Sequence, residues 1–455
     1  MPAQENPVVR TPAGAVRGVR DAFGERYRAI PYALAPTGAG RFGEPSPHPG
    51  WPGVRDGTAP GPTAPQPARD FGRLDMTPYF GPGWVRGADY LTVDVRTPAA
   101  GRGQRPVLVF VHGGGFVTGS ARAALYDGRA FARDGVVLVT VQYRLGVPGF
   151  LSLEGTPDNR GLLDVLLALQ WVREAITSFG GDPGNVTVFG QSAGATLVGS
   201  LLATPQAKGL FRRAIMQSGS GTGAFTPEQA HRVTTATAAA LGTPPTVEGF
   251  AGLPDERFLE VQPALSGLDL RTDTATDPLV GLSPFSLVLP AQAADALTSG
   301  PAGDVDLLIG TNTEEGNLYL VPQGKPDTDV PLGDVLFGKG TARMADAHAR
   351  VAPGCTYVYS FGHRSTAFDG RLGAAHTVEL PFVFDVADEP WLHGETGLLG
   401  PTPAPEALAR RMHGAWTEFA TTGNPGWPAH TTSAPVTHRF NAQDGRVSRA
   451  RPATH

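Results

Sequence analysis

The chain predicts an α/β fold: a large, mostly parallel central sheet flanked by helices. Short, nearly continuous apolar runs recur at Val107–Val111, Val136–Val141, Asn185–Phe189, Arg213–Gln217 and Val305–Ile309. Runs of this kind suit strands buried on both faces, which is the situation of parallel strands. Between the second and third runs lies Asn159–Ser178, where Leu162, Leu166, Leu169, Val172 and Ile176 recur at helical spacing and share one face. An amphipathic helix between two buried strands is a crossover connection, and open sheets built this way bind ligands outside the carboxyl ends of their strands.

The remaining segments follow in chain order. Met1–Arg10 is polar, and no run of about 18 apolar residues occurs, so a cytoplasmic protein with no bilayer span is expected. Pro36–Gly87 is dense in Pro, Gly and isolated aromatics and reads as long surface loops with short strands. Gly223–Ser299 is Ala-, Thr- and Pro-rich and reads as a helical insertion (residues 223–299) over the active site, within a single domain spanning 1–455. The 37 Lys and Arg against 42 Asp and Glu leave a net charge of −5, which gathers neither nucleic acid nor anionic membrane. The expected partner is a small molecule. The one cysteine, Cys355, excludes an intramolecular disulfide and a cysteine-based zinc site, and is expected to be a buried strand residue.

The chemistry is carried by two glycine-rich turns. The third apolar run leads straight into Gly190-Gln191-Ser192-Ala193-Gly194 and then into a helix-compatible stretch, Ala195–Ala203. A strand, a tight G-x-S-x-G turn and a helix place a serine at the sheet edge as a nucleophile, with small neighbours because the turn leaves no room for larger ones. The first run leads into His112-Gly113-Gly114-Gly115-Phe116. Acyl transfer needs backbone N–H groups aimed at the developing oxyanion, and glycines allow that approach. Gly114, Gly115 and Ala193 are the expected donors. His112 belongs to this loop and precedes the serine, so it is a poor general base. No metal or organic cofactor is called for.

A serine at such an elbow is followed in the chain by an acid and then a histidine. Val305–Gly310 ends in Thr311-Asn312-Thr313-Glu314-Glu315-Gly316, and spacing does not separate the two glutamates. One is expected to orient the histidine and the other to be a solvated loop charge. Eight histidines follow; His376, in the loop Gly373–Thr377, and His363, at the end of the run Tyr357–Phe361, are the leading candidates.

These residues resemble the type-B carboxylesterase and lipase family, which includes bacterial carboxylesterases, p-nitrobenzyl esterases and cholinesterases. The resemblance runs over nearly the whole chain, through Ala29–Ala33, Arg41-Phe42, His112–Phe116, Gln142–Gly146, Asn159–Asp164, Phe179–Gly194, Phe211–Gly219, Thr313–Gly316, Gly373–Phe384 and Ala415–Ala420. It implies the α/β-hydrolase fold and a Ser-His-Glu triad. In the family's acidic motif the glutamate directly before glycine is the acid, which selects Glu315, and the histidine motif selects His376. The resemblance also implies a buried pair between Arg144 and Asp164.

Several positions depart from the family pattern. Ala88-Asp89-Tyr90-Leu91 lacks the usual glutamate and cysteine of that box. Gln191 stands where the family often has glutamate, which removes a charge that would attract a cationic substrate. His376 comes only 61 positions after Glu315, fewer than is usual, so trimmed gorge helices and a more open pocket are expected. Phe116, Gln191 and Ser218 are the expected pocket residues. The function implied is hydrolysis of short to medium carboxylic esters through an acyl-enzyme. The alternatives are acyl transfer, carbamate hydrolysis or lactone opening at the same site, and a non-catalytic binding role, which would require the loss of a triad residue.

Overall fold

The computed structural model describes residues 6–101, 103–326, 330–441 and 447–449. Among the described residues its frame is an eleven-stranded sheet. From one edge to the other the strands are Val447–Arg449, Val436–Phe440, Thr356–Phe361, Asp306–Asn312, Arg213–Gln217, Gly181–Gln191, Arg105–Val111, Val137–Val141, Thr92–Thr97, Gly24–Pro31 and Val19–Asp21. All neighbours from Val436–Phe440 to Val137–Val141 pair in parallel. Antiparallel strands close both edges. Every residue of Val137–Val141 and of Arg213–Gln217 is buried, as strands covered on both faces must be.

The crossover helix runs from Arg160 to Ala175 and tightens into a 3₁₀ turn at Ile176–Phe179. Leu162, Leu166, Leu169, Val172 and Ile176 are all buried against the sheet. From the same helix Asp164 meets Arg144, the residue three past the end of Val137–Val141: Nη2 donates to Oδ1 at 2.7 Å and Nε to Oδ2 at 2.9 Å. Both side chains are fully buried, and Arg144 Nη1 also donates to the Gly43 carbonyl at 2.8 Å. Charges this deep persist only when paired and hydrogen-bonded. Here the pair ties the N-terminal loops, the sheet and the crossover helix together.

Pro36–Gly87 contains a 3₁₀ turn at Gly38–Arg41, a short strand at Val54–Asp56 and one helical turn at Thr77–Phe80, joined by irregular chain. Val54–Asp56 pairs with Gly14–Arg17 in a separate three-stranded sheet. The 223–299 segment holds helices Pro227–Leu241, Val247–Ala251 and Asp255–Val261. The first helix starts on a capping box between Thr226 and Gln229 and stops at Gly242, whose φ of 68° suits the left-handed cap. Cys355 differs from expectation: it lies one residue ahead of the strand Thr356–Phe361 and is partly exposed, because the chain is still leaving a surface turn. Among the described residues no helix is long and apolar enough to cross a membrane.

Candidate active site

The strand Gly181–Gln191 ends at Ser192, whose φ of 58° and ψ of −125° turn the chain directly into the helix Ala193–Leu201. A non-glycine residue in this region is strained by about 1–3 kcal/mol and persists only when its surroundings hold it. Here Ser192 N donates to the Gln217 carbonyl at 2.9 Å, and Thr196 N donates to the Ser192 carbonyl at 3.0 Å. The flanking glycines are required by space. A Cβ on Gly190 would lie 2.6 Å from the Gly194 carbonyl carbon, and one on Gly194 would lie 2.1 Å from the Val111 carbonyl oxygen. Phe116, Ser218 and Thr377, all next to this turn, also have positive φ.

The loop after Arg105–Val111 wraps the other side of Ser192. Gly114 has φ 120°, and a Cβ there would sit 2.0 Å from the Thr118 carbonyl oxygen. Gln66 fastens the loop from outside: its Oε1 accepts from the Thr118 hydroxyl at 2.7 Å and from Gly119 N at 2.9 Å. His112 is buried, its ring stacked 4.5 Å from that of Tyr143, and burial pushes its pKa down to about 4. It is a neutral framework residue.

Geometry separates the two glutamates. Glu315 Oε2 lies 2.6 Å from His376 Nδ1, while Oε1 accepts from Asn312 N at 2.6 Å and from the Ser218 hydroxyl at 2.5 Å. Glu314 points the other way. It pairs with Arg364 and accepts from Ala374 N at 2.9 Å, so it braces the histidine loop from outside rather than standing free as a solvated charge. His363 packs on Phe382 instead, with ring centroids 5.1 Å apart.

The second nitrogen of His376 has a partner that the sequence did not indicate. Neutral imidazole carries one N–H, and the 2.6 Å contact to Glu315 places it on Nδ1, so Nε2 is an acceptor. Gln191 meets it with its amide nitrogen at 3.2 Å, and the amide oxygen accepts from the Tyr79 hydroxyl at 2.6 Å. Burial holds the Tyr79 phenol well above its ordinary pKa, so it stays a donor. In this resting arrangement Tyr79, Gln191 and His376 form one chain of hydrogen bonds.

Ser192, Ala193, His376, Gly114, Gly115 and Phe116 line one cavity of about 60 Å³. Its walls are mostly apolar and include Tyr79, Phe80, Leu282, Leu318 and Phe337. The irregular stretch of the 223–299 segment supplies Leu279, Leu282 and Ser283. Phe337 stacks on the His376 ring at 4.3 Å with an 8° interplanar angle. The open pocket expected from the short Glu315–His376 interval is therefore not found: Ser192 is 8% exposed and His376 2%. Phe337 and Leu336, from within that interval, close the cavity directly. Gln191 and Ser218 need a similar correction. Both are fully buried behind the lining, because their side chains are occupied by His376 and Glu315 rather than turned to the cavity.

A family model described as the carboxylesterase family matches residues 5–328 and 323–449. The chain belongs to the carboxylesterase family. The para-nitrobenzyl esterase of Bacillus subtilis (strain 168) is 34% identical over 93% of this chain and 92% of its own. The phenmedipham hydrolase of Pseudarthrobacter oxydans is 33% identical over 97% and 94%. Among solved structures, a thermophilic PNB esterase superposes with a TM-score of 0.84 at 32% identity, covering 98% of both chains. A Geobacillus stearothermophilus carboxylesterase gives 0.83 at 33% identity, covering 97% of both. The sheet is thus that of the α/β-hydrolase fold, and this carboxylesterase is a serine hydrolase of carboxylic esters.

Sequence reasoning missed Arg69, Tyr79, Phe337 and Glu379. The first three reach the cavity from irregular or short elements with no local motif. Glu379 lies three residues after His376 inside a stretch already singled out, so its charge was a usable signal. It is fully buried, accepts from Asn312 Nδ2 at 2.7 Å, and is pushed up to about 7 by burial and then by the Glu315 charge.

Proposed function

We propose that Ser192, His376 and Glu315 are the catalytic triad of this esterase, acting on short to medium carboxylic esters. The observation that carries the reading is the 2.6 Å bond from His376 Nδ1 to Glu315, with His376 lining the same cavity that Ser192 enters from its strained turn. His376 Nε2 leaves the Gln191 amide and accepts the Ser192 proton as Oγ adds to the ester carbonyl. The oxyanion is held by the N–H groups of Gly114, Gly115 and Ala193. Glu315 keeps the imidazole in its working tautomer and stabilises the imidazolium. The alcohol departs with the proton from His376, and water then repeats the sequence on the acyl-enzyme. The small cavity favours short acyl groups.

Residues 1–455 are read as one domain with 223–299 inserted, which limited proteolysis tests by release of no stable fragment. A single cysteine suits a reducing compartment, and we place the protein in the cytoplasm, a reading that cell fractionation checks. Para-nitrobenzyl esters and phenmedipham are further candidate substrates, because relatives carrying those names match over nearly the full length. The deciving assay is hydrolysis of a p-nitrophenyl ester series from acetate to palmitate, beside Ser192→Ala. Turnover of the short esters that disappears in the variant is expected; undiminished turnover in the variant refutes the assignment.

A further inference from the structure

Among the described residues, the cavity around Ser192 is lined, apart from His376, by a single chargeable basic side chain, Arg69, and by no carboxylate. Arg69 Nη1 lies 3.3 Å from the point a Cβ on Gly115 would occupy, so its guanidinium rests against the loop that offers oxyanion donors. Its protein partners are weak. Nη2 reaches the Leu282 carbonyl only at 3.5 Å, and its Cζ lies 5.5 Å from the Phe71 ring centroid. The titratable groups acting on it are the hydroxyls of Tyr319 and Tyr79, and burial lowers its pKa from the usual arginine value.

Arg69 is partly buried, and the fully buried arginines are served differently. Arg144 has Asp164, Arg96 has Asp21, and Arg160 donates to the carbonyls of Pro148, Pro157 and Leu151. A guanidinium set among Phe71, Tyr79, Phe80 and Leu282 has lost part of its water and, among the described residues, gained no anion in return. Its planar fork matches a carboxylate, and such a contact is strong where water is excluded.

We propose that Arg69 is a substrate-recognition residue that selects esters carrying a free carboxylate in the acyl part, in particular half-esters of short dicarboxylic acids. The assignment rests on the reading of this cavity as the catalytic site. With the carboxylate on Arg69, the ester carbonyl a few atoms away lies against the Gly115 loop and in front of Ser192. Ser192 Oγ bonds to the carbonyl carbon, the alcohol leaves with the proton held by His376, and water releases the dicarboxylate and regenerates the serine.

The test compares monoethyl glutarate with ethyl pentanoate, following ethanol release by the wild type, Arg69→Lys, Arg69→Gln and Ser192→Ala. In the wild type kcat/KM is expected to favour the anionic ester about 10- to 100-fold, the range of one charge-assisted hydrogen-bonded contact. Arg69→Gln is expected to erase that ratio, and Arg69→Lys, which keeps the charge but loses the planar fork, to keep only part of it. Equal use of the two esters by the wild type, or an unchanged ratio in Arg69→Gln, overturns the role of Arg69 while leaving Ser192 in place. Ethanol release that survives Ser192→Ala overturns the catalytic-site reading and this proposal with it. The wild-type ratio and Arg69→Lys decide the matter even if Arg69→Gln does not fold.

Discussion

Replacing Glu379 with glutamine is expected to remove a loss of stability that the wild type suffers as pH rises through the neutral range. Glu379 is fully buried, with Asn312 Nδ2 donating to it at 2.7 Å and Gln217 Nε2 at 3.4 Å. Burial, and then the neighbouring charge of Glu315, raise its pKa from 4.5 to about 7. The folded chain therefore keeps this proton over a range in which the unfolded chain has released it. Stability falls with rising pH wherever the folded state binds more protons. For this group the fall starts near 4.5 and is complete above about 7. At 1.36 kcal/mol per pKa unit, that displacement corresponds to roughly 3 kcal/mol. Glutamine keeps the shape and an acceptor for Asn312 but has no proton to lose. Urea unfolding of both proteins at several pH values between about 5 and 8 measures the effect. The stability of Glu379→Gln relative to wild type is expected to grow by roughly 3 kcal/mol across that range. Contributions from groups that do not interact with Glu379 cancel in the difference. Parallel pH dependences would refute the assignment of a raised pKa to this carboxyl.

Glu315→Gln is expected to lower kcat by about 10³- to 10⁴-fold, the scale seen when a triad acid no longer holds its histidine, and Glu314→Gln by less than about tenfold. Steady-state kinetics on p-nitrophenyl acetate separate the two. Asp164→Ala leaves Arg144 buried without its partner and is expected to cost about 3–5 kcal/mol in urea unfolding. Gln191→Glu puts a carboxylate about 3 Å from His376 Nε2, where it favours the imidazolium, so the acid limb of the kcat/KM profile is expected to move to higher pH by about 1–3 units. An unmoved limb would mean that the Gln191 contact is not made in solution.

Much of the frame was legible because it is local. Val137–Val141 and the face Leu162, Leu166, Leu169, Val172 and Ile176 declare their burial by period alone, and Gly190 and Gly194 declare a turn that only small residues fit. The choice between Glu314 and Glu315 was not local. Adjacent residues leave the strand Asp306–Asn312 in different directions, and what separates them is Asn312 N, Ser218 and His376 on one side and Arg364 on the other. The closed cavity was illegible for the same reason. A short interval between Glu315 and His376 says how much chain is present, not that Phe337 will lie flat on the imidazole. Gln191 and Ser218 were placed next to the site correctly in sequence but on the wrong side of its wall, since their polar ends are taken by His376 and Glu315.

The claim that Ser192 forms the covalent intermediate is tested most directly by reaction with diethyl p-nitrophenyl phosphate, followed by intact-mass measurement and peptide mapping. One diethylphosphoryl group per chain is expected, on the peptide containing Ser192, with activity lost in proportion to labelling. Full inactivation with Ser192 unmodified, or an adduct on another residue, would contradict it.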